Sequence, residues 1–147
     1  MMVVTAHVTQ ACNDKREVVP TLEQIAALPL ELGCVQTLIA DNGFYSEANV
    51  VACATAGIEP LMERCAPDAQ AAQTLQPVAG MVHRLSTTAG KGLYKMRKQT
   101  VEPVLGIIKH VMGWRQMSMR GLAKAQGEWS LVTMAWNIKR MHVLRAA

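Results

Sequence analysis

Glu102 stands as a lone carboxylate among Tyr94, Lys95, Arg97, Lys98 and Lys109, in the stretch Y-K-M-R-K-Q-T-V-E-P-V-L-G-I-I-K. A carboxylate can hold a divalent cation, and surrounding cations can hold a polyanion. The set therefore suits a metal-assisted reaction on a phosphate backbone. On a helix, the spacing from Glu102 to Lys109 is two turns, roughly 10 Å along one face. A solvated basic face accounts for the same residues, because charge runs on helices usually are such faces. Asp41 is the second candidate. It follows the apolar run Cys34 to Ala40 and opens the turn Asp41-Asn42-Gly43. In parallel sheets ligands bind beyond the carboxyl ends of strands, although Asp-x-Gly is also ordinary turn chemistry. Two carboxylates from distant parts of a chain, one at a strand end and one on a helix, suit a two-metal phosphoryl-transfer site. A third ligand is usual; Asp14 is available, but its place favours a helix cap.

These residues need elements to position them. Met2 to Gln10 is rich in β-branched residues and predicts a strand. Asn13 or Asp14 caps a helix to about Leu28, with Val18, Leu22 and Ile25 as its buried stripe, and Pro20 predicts a kink or a later start. Cys34 to Ala40 reads as a buried parallel strand. Ser46 caps a helix through Val50, Val51 and Ala54 that Gly57 closes, and Ile58 to Met62 is the next strand. Alternating strands and helices predict an α/β sheet. Glu63 to Val78 reads as a loop or partial helix. From about Met81 the chain is helical: first to about Thr87, then a central helix over about Ala89 to Met112, then a last helix from about Gly121 to Leu144. Pro103 predicts a bend in the central helix, or a restart at Thr100. Val101, Val104, Leu105, Ile108 and Met112 form an apolar stripe in that helix, and Leu122, Ala125, Trp129, Val132 and Trp136 form one in the last. At such spacing the Trp residues read as packing rather than base stacking.

Length and composition bound the function. A chain of 147 residues, half of them hydrophobic, is one domain or part of one. Its expected parts are a partial α/β sheet carrying Asp41 over 1–62, a connection over 63–87, and C-terminal helices carrying Glu102 over 88–147. No apolar run is long enough for a transmembrane helix, and Met1 to Gln10 lacks the pattern of a signal peptide. The four cysteines form no C-x-x-C pair, which favours reduced thiols in a cytoplasm over a structural zinc. The net charge of +4 hides a division. Residues 1–70 carry three Lys/Arg against nine Asp/Glu, a balance of −6, and residues 71–147 carry twelve against two, a balance of +10. So basic a half points to nucleic acid or another polyanion.

Three longer segments carry a resemblance: A-D-N-G-F-Y-S-E-A-N-V (Ala40 to Val50), R-K-Q-T-V-E-P-V-L-G-I-I-K-H-V-M-G-W-R-Q (Arg97 to Gln116) and R-G-L-A-K-A-Q-G-E-W-S-L-V-T-M-A-W-N-I-K-R-M (Arg120 to Met141). They closely resemble bacterial insertion-sequence transposases of the DDE type, as does the opening V-T-Q-A-C-N-D-K (Val8 to Lys15). The resemblance implies an RNase H-like α/β fold with a helical C-terminal half. It implies an Asp–Asp–Glu triad with two Mg²⁺ (or Mn²⁺) ions, and DNA cleavage and strand transfer. Asp41 matches the second aspartate and Glu102 the glutamate, both as catalytic residues and metal ligands. Tyr94, Arg97 and Lys109 correspond to a tyrosine–arginine–glutamate–lysine signature. Its spacing falls on Lys95 and Lys98, so Arg97 and Lys98 are both candidates for the arginine. With Arg115 and Arg120 these are the expected DNA-binding residues.

The family's first aspartate lies on a strand upstream of the V-T-Q segment, and its N-terminal DNA-binding helices lie further upstream still. The resemblance therefore implies the C-terminal part of a catalytic domain, incomplete in its first strand and inactive alone, with an unpaired sheet edge prone to association. The expected partners are double-stranded DNA at transposon ends, and a second copy or a full-length transposase. No membrane is expected; the expected place is the cytoplasm, at the nucleoid. A non-catalytic DNA-binding or transposase-inhibiting module is the alternative. Asp41 and Glu102 are expected to bring their carboxylates within roughly 8 Å of each other.

Overall fold

The computed structural model describes residues 1–63 and 76–145. The chain forms two compact units, Ala11–Arg97 and Met1–Gln10 with Lys98–Ala147.

The first unit is mixed α/β. Asn13 Oδ1 accepts the Lys15 amide and opens a 3₁₀ turn, Asp14–Glu17, which leads into helix α1, Val18–Ala26. Pro20 lies in the first turn of α1, where its missing donor costs no helical bond, and the helix is assigned without interruption. Val18 and Leu22 are buried as the periodicity predicts. Strand β1, Thr37–Ala40, pairs in parallel with β2, Glu59–Met62, with Ala40 opposite Met62. Between them Ser46 Oγ accepts the Asn49 amide at 3.1 Å and caps helix α2, Glu47–Thr55. Gly57 follows with φ +72°, the left-handed backbone expected after a helix end. Helix α3, Gln76–Ser86, lays Val78 and Met81 on a core shared with Val18, Leu22, Val50, Cys53, Ile58 and Met62. The parallel sheet and its crossover helix bear out the α/β expectation in its coarse form.

Several expectations are corrected. Met2 to Gln10 is not a strand. Its partners are side chains of the last helix, α5, Leu122–Arg145. The Val3 amide donates to Asn137 Oδ1 at 2.8 Å, and Asn137 Nδ2 donates to the Val3 carbonyl at 2.6 Å. The Val8 amide donates to Gln126 Oε1 at 2.6 Å, and Gln126 Nε2 donates to the Ala6 carbonyl at 3.1 Å. Residues 126 and 137 of a helix lie about 16 Å apart along its axis. An extended chain covers the same distance, about 16 Å, between residues 3 and 8. The β-branched run is therefore extended, but it runs antiparallel to a helix whose carboxamides replace a strand partner. β1 is shorter than predicted and half-buried rather than buried, since among the described residues it pairs only with β2.

Helix α4, Thr88–His110, runs through Pro103 without a restart. The proline leaves the Gln99 carbonyl without its helical donor. Of the predicted α4 stripe Ile108 is buried, whereas Val101 and Leu105 are exposed. In α5, Ala125 and Trp136 are buried as predicted, Leu122 is exposed, and Thr133 joins the buried face. Thr133 can do so because its hydroxyl bonds back to the Trp129 carbonyl at 3.0 Å. Residues 64–75, most of the predicted Glu63 to Val78 connection, and Cys65 with them, lie outside the described residues. Among the described residues no helix is long and apolar enough to cross a membrane.

Candidate functional site

β1 and β2 deliver two carboxylates to one end of the sheet. Parallel pairing sets Ala40 opposite Met62, so Asp41 and Glu63 are the residues that leave the two strands side by side. Asp41 Oδ1 accepts the Asn42 amide at 2.7 Å and starts the 3₁₀ turn Asn42–Phe44. Its other oxygen, Oδ2, is 2.8 Å from Arg97 Nη1. Arg97 also lies over the Tyr94 ring, 5.5 Å from its centroid. The Tyr94 hydroxyl donates to Glu63 Oε2 at 3.4 Å. Tyr94 and Arg97 are one turn apart on α4 and share a face, so one face of one helix meets both strand ends.

The electrostatics follow from this arrangement. Burial above all pushes the Tyr94 phenol up; the Arg97 guanidinium pulls it down, and Glu63 and Asp41 add to the rise. Tyr94 therefore keeps its proton and remains a donor to Glu63. Lys95 and Lys98 on the same helix are exposed. Of the two candidates for the signature arginine, Arg97 is the one that meets Asp41.

The Asp41 turn is fixed from below by a residue that the sequence reading passed over. Asn49 is buried at 6% exposure. Its Nδ2 donates to the Lys15 and Phe44 carbonyls, both at 2.8 Å. One carboxamide thus ties the Asp14–Glu17 turn and the Asn42–Phe44 turn to α2. Asp14 packs here too: a Cβ added to Gly43 would stand 3.2 Å from Asp14 Oδ2. The signal for Asn49 was a polar residue beside Val50, which with Cys53 forms the core face of its helix.

Glu102 and Lys109 are exposed on α4, two turns apart. Glu102 belongs to the second unit and Asp41 to the first, and each is described within its own unit. Arg115 and Arg120 are exposed in the loop between α4 and α5. That loop is closed by Glu128 of α5, the single acidic residue after Glu102 and another the sequence reading missed. The Trp114 and Trp129 rings pack against each other beside it, with centroids 5.0 Å apart and planes at 39°.

The profile of a family described as "Transposase DDE domain" matches residues 60–142, more than half of the chain. The chain belongs to the DDE transposase domain family. The match takes in Tyr94, Arg97, Lys98, Glu102, Lys109, Arg115 and Arg120, while Asp41 precedes it. Comparison with curated proteins and with solved structures finds no match. Transposases of this family generally use divalent metals, and carboxylate oxygens are suitable donors for such ions. Among the described residues of this transposase domain, however, no three His, Cys, Asp or Glu side chains gather to hold a metal ion. Both Asp41 oxygens are also engaged. As they stand, these residues do not fit an assembled ion site.

Proposed function

We propose that this chain works on double-stranded DNA in transposition. Asp41 and Glu102 are its catalytic carboxylates and intended Mg²⁺ or Mn²⁺ ligands, and Tyr94, Arg97, Lys98, Lys109, Arg115 and Arg120 are its DNA contacts. The observation that carries this reading is the 2.8 Å pair between Arg97 and Asp41. It joins two residues drawn from separate motifs, one at a strand end and one on α4. A guanidinium recognises phosphate as readily as carboxylate, so Arg97 can exchange Asp41 for a DNA phosphate and release the carboxylate next to the strand it acts on. The reading includes an RNase H-like sheet to which β1 and β2 contribute two strands; their parallel pairing supports it.

The alternative is a non-catalytic module that binds DNA or joins a complete transposase and inhibits it. The engagement of both Asp41 oxygens favours it for the chain by itself. A nicking assay with Mg²⁺ or Mn²⁺, on DNA carrying the ends of the element's own copy, separates the readings. We expect the isolated chain to bind this DNA without cutting it. Cutting that disappears in Asp41→Asn and Glu102→Gln would make it an enzyme by itself. Neither binding nor cutting would end the first reading and leave of the second only a module that joins a complete transposase.

A further inference from the structure

Glu128, in the second turn of α5, gathers the loop before it. Its Oε1 accepts the Trp114 indole N–H at 3.2 Å and the Ser118 hydroxyl at 3.0 Å. The Ser118 amide reaches both oxygens, at 2.9 and 2.8 Å, and the Met119 amide reaches Oε2 at 3.1 Å. The loop's first residues are tied to α4 by the bond from the Trp114 amide to the Ile108 carbonyl at 3.2 Å. Gly113 and Gly121 bound the segment, with φ of +76° and +92°. Arg115 follows Trp114 and Arg120 follows Met119, so each exposed arginine is next in sequence to a residue that Glu128 holds.

We infer that Glu128 is a positioning residue for DNA: by closing the 114–119 turn it fixes the places from which Arg115 and Arg120 reach phosphates. An acid on a phosphate-binding surface is a handicap unless its charge is spent inside the protein. Between Pro103 and Ala147 it stands among seven Lys/Arg with no other acid. Its oxygens face protein donors from three residues of one turn, which is where that charge is spent. Held in one arrangement, the two arginines lose less side-chain and loop entropy when they meet DNA.

The inference rests on the DNA contacts proposed above, and its test separates the two by sign. Removing a bystander acid from a basic surface tightens DNA binding, because repulsion falls. Removing a positioning acid weakens it. The experiment measures fluorescence anisotropy of a labelled DNA duplex across a salt series with the 147-residue chain, its Glu128→Gln variant, Arg115→Ala/Arg120→Ala, and all three changes combined. Glu128→Gln is expected to raise Kd and reduce the log–log salt slope by about 1–2, at ~0.9 per phosphate contact. It is expected to add nothing in the arginine-free background. Tighter binding, unchanged binding, or equal weakening in both backgrounds would overturn the inference while leaving DNA binding itself in place. Absence of any binding by the parent at low salt would instead overturn the functional reading and this inference with it. Should Glu128→Gln fail to fold by circular dichroism, Trp114→Phe removes one donor and keeps an aromatic ring, though a smaller one, against Trp129. It is expected to shift binding in the same direction by less, again only when the arginines are present; no shift, or a shift without them, would overturn the inference.

Discussion

Arg97 and Asp41 form an ion pair whose side chains remain 21% and 53% exposed. Exposed pairs contribute about 0–1 kcal/mol, so Arg97→Ala should change the free energy of unfolding by less than about 1 kcal/mol. A denaturant titration checks this; a loss of several kcal/mol would mean that Arg97 supports the core rather than the site. Glu128 behaves differently with pH. The Ser118 amide above all holds its carboxyl below the ordinary glutamate value; burial opposes it, and the Met119 amide, the Trp114 indole and the Ser118 hydroxyl add smaller effects in the lowering direction. A carboxylate with a lowered folded-state pKa stabilises the fold above its unfolded value and loses that contribution as pH falls through the folded one. The melting temperature should therefore drop on acidification through the carboxylate range. The drop should be shallower in Glu128→Gln; identical curves would show that the contacts add nothing. Motifs and charge single out Asp41 and Glu102 as candidates in the sequence. Glu128 and Asn49 were not legible there, because their importance lies in backbone groups they reach, and backbone groups leave no trace in residue type.

Elements were legible where local chemistry decides them. Ser46 caps α2 and Gly57 closes it because a hydroxyl acceptor and a left-handed residue are needed at those two points. The opening segment was read half correctly. Its β-branched residues select an extended backbone, but the partner is non-local, and here the carboxamides of Gln126 and Asn137 do the work of a strand. Asn137→Leu should free both Val3 bonds, and the Val3 amide should then exchange at the rate of an open chain while the Val50 and Met62 amides stay protected. Continued protection at Val3 would contradict the arrangement. Pro103 allows a bend or a restart at Thr100, and of the two the restart does not occur, because α4 continues through the proline at the loss of one helical donor. Glycine positions in α4 give a paired test. A Cβ on Gly90 would collide with the Arg84 carbonyl oxygen, whereas Gly92 has nothing within 4 Å. Gly90→Ala should destabilise by about 1–3 kcal/mol or more, as overpacking does. Gly92→Ala should stabilise by up to about 1 kcal/mol, the helix-propensity difference. Thermal unfolding of the two variants decides; equal effects would mean that α3 and α4 do not approach as described.

For the molecule as a whole, charge was the most legible property and its consequence is the most general. Residues 71–147 carry twelve Lys/Arg against two Asp/Glu, and family membership gives that excess a polyanion to meet. The apolar residues that α5 leaves exposed, Leu131, Met134, Ile138 and Met141 among them, were not foreseen, because hydropathy places apolar residues inside and says nothing about which faces a given chain leaves open. The central claim, that this basic half engages the DNA backbone, is tested most directly by titrating the chain against a labelled duplex over a range of salt. Binding that weakens steeply, with a log–log slope of about −0.9 for each phosphate neutralised, and that varies little between duplex sequences, is the predicted result. Absence of binding at low salt, or affinity indifferent to salt, would contradict it.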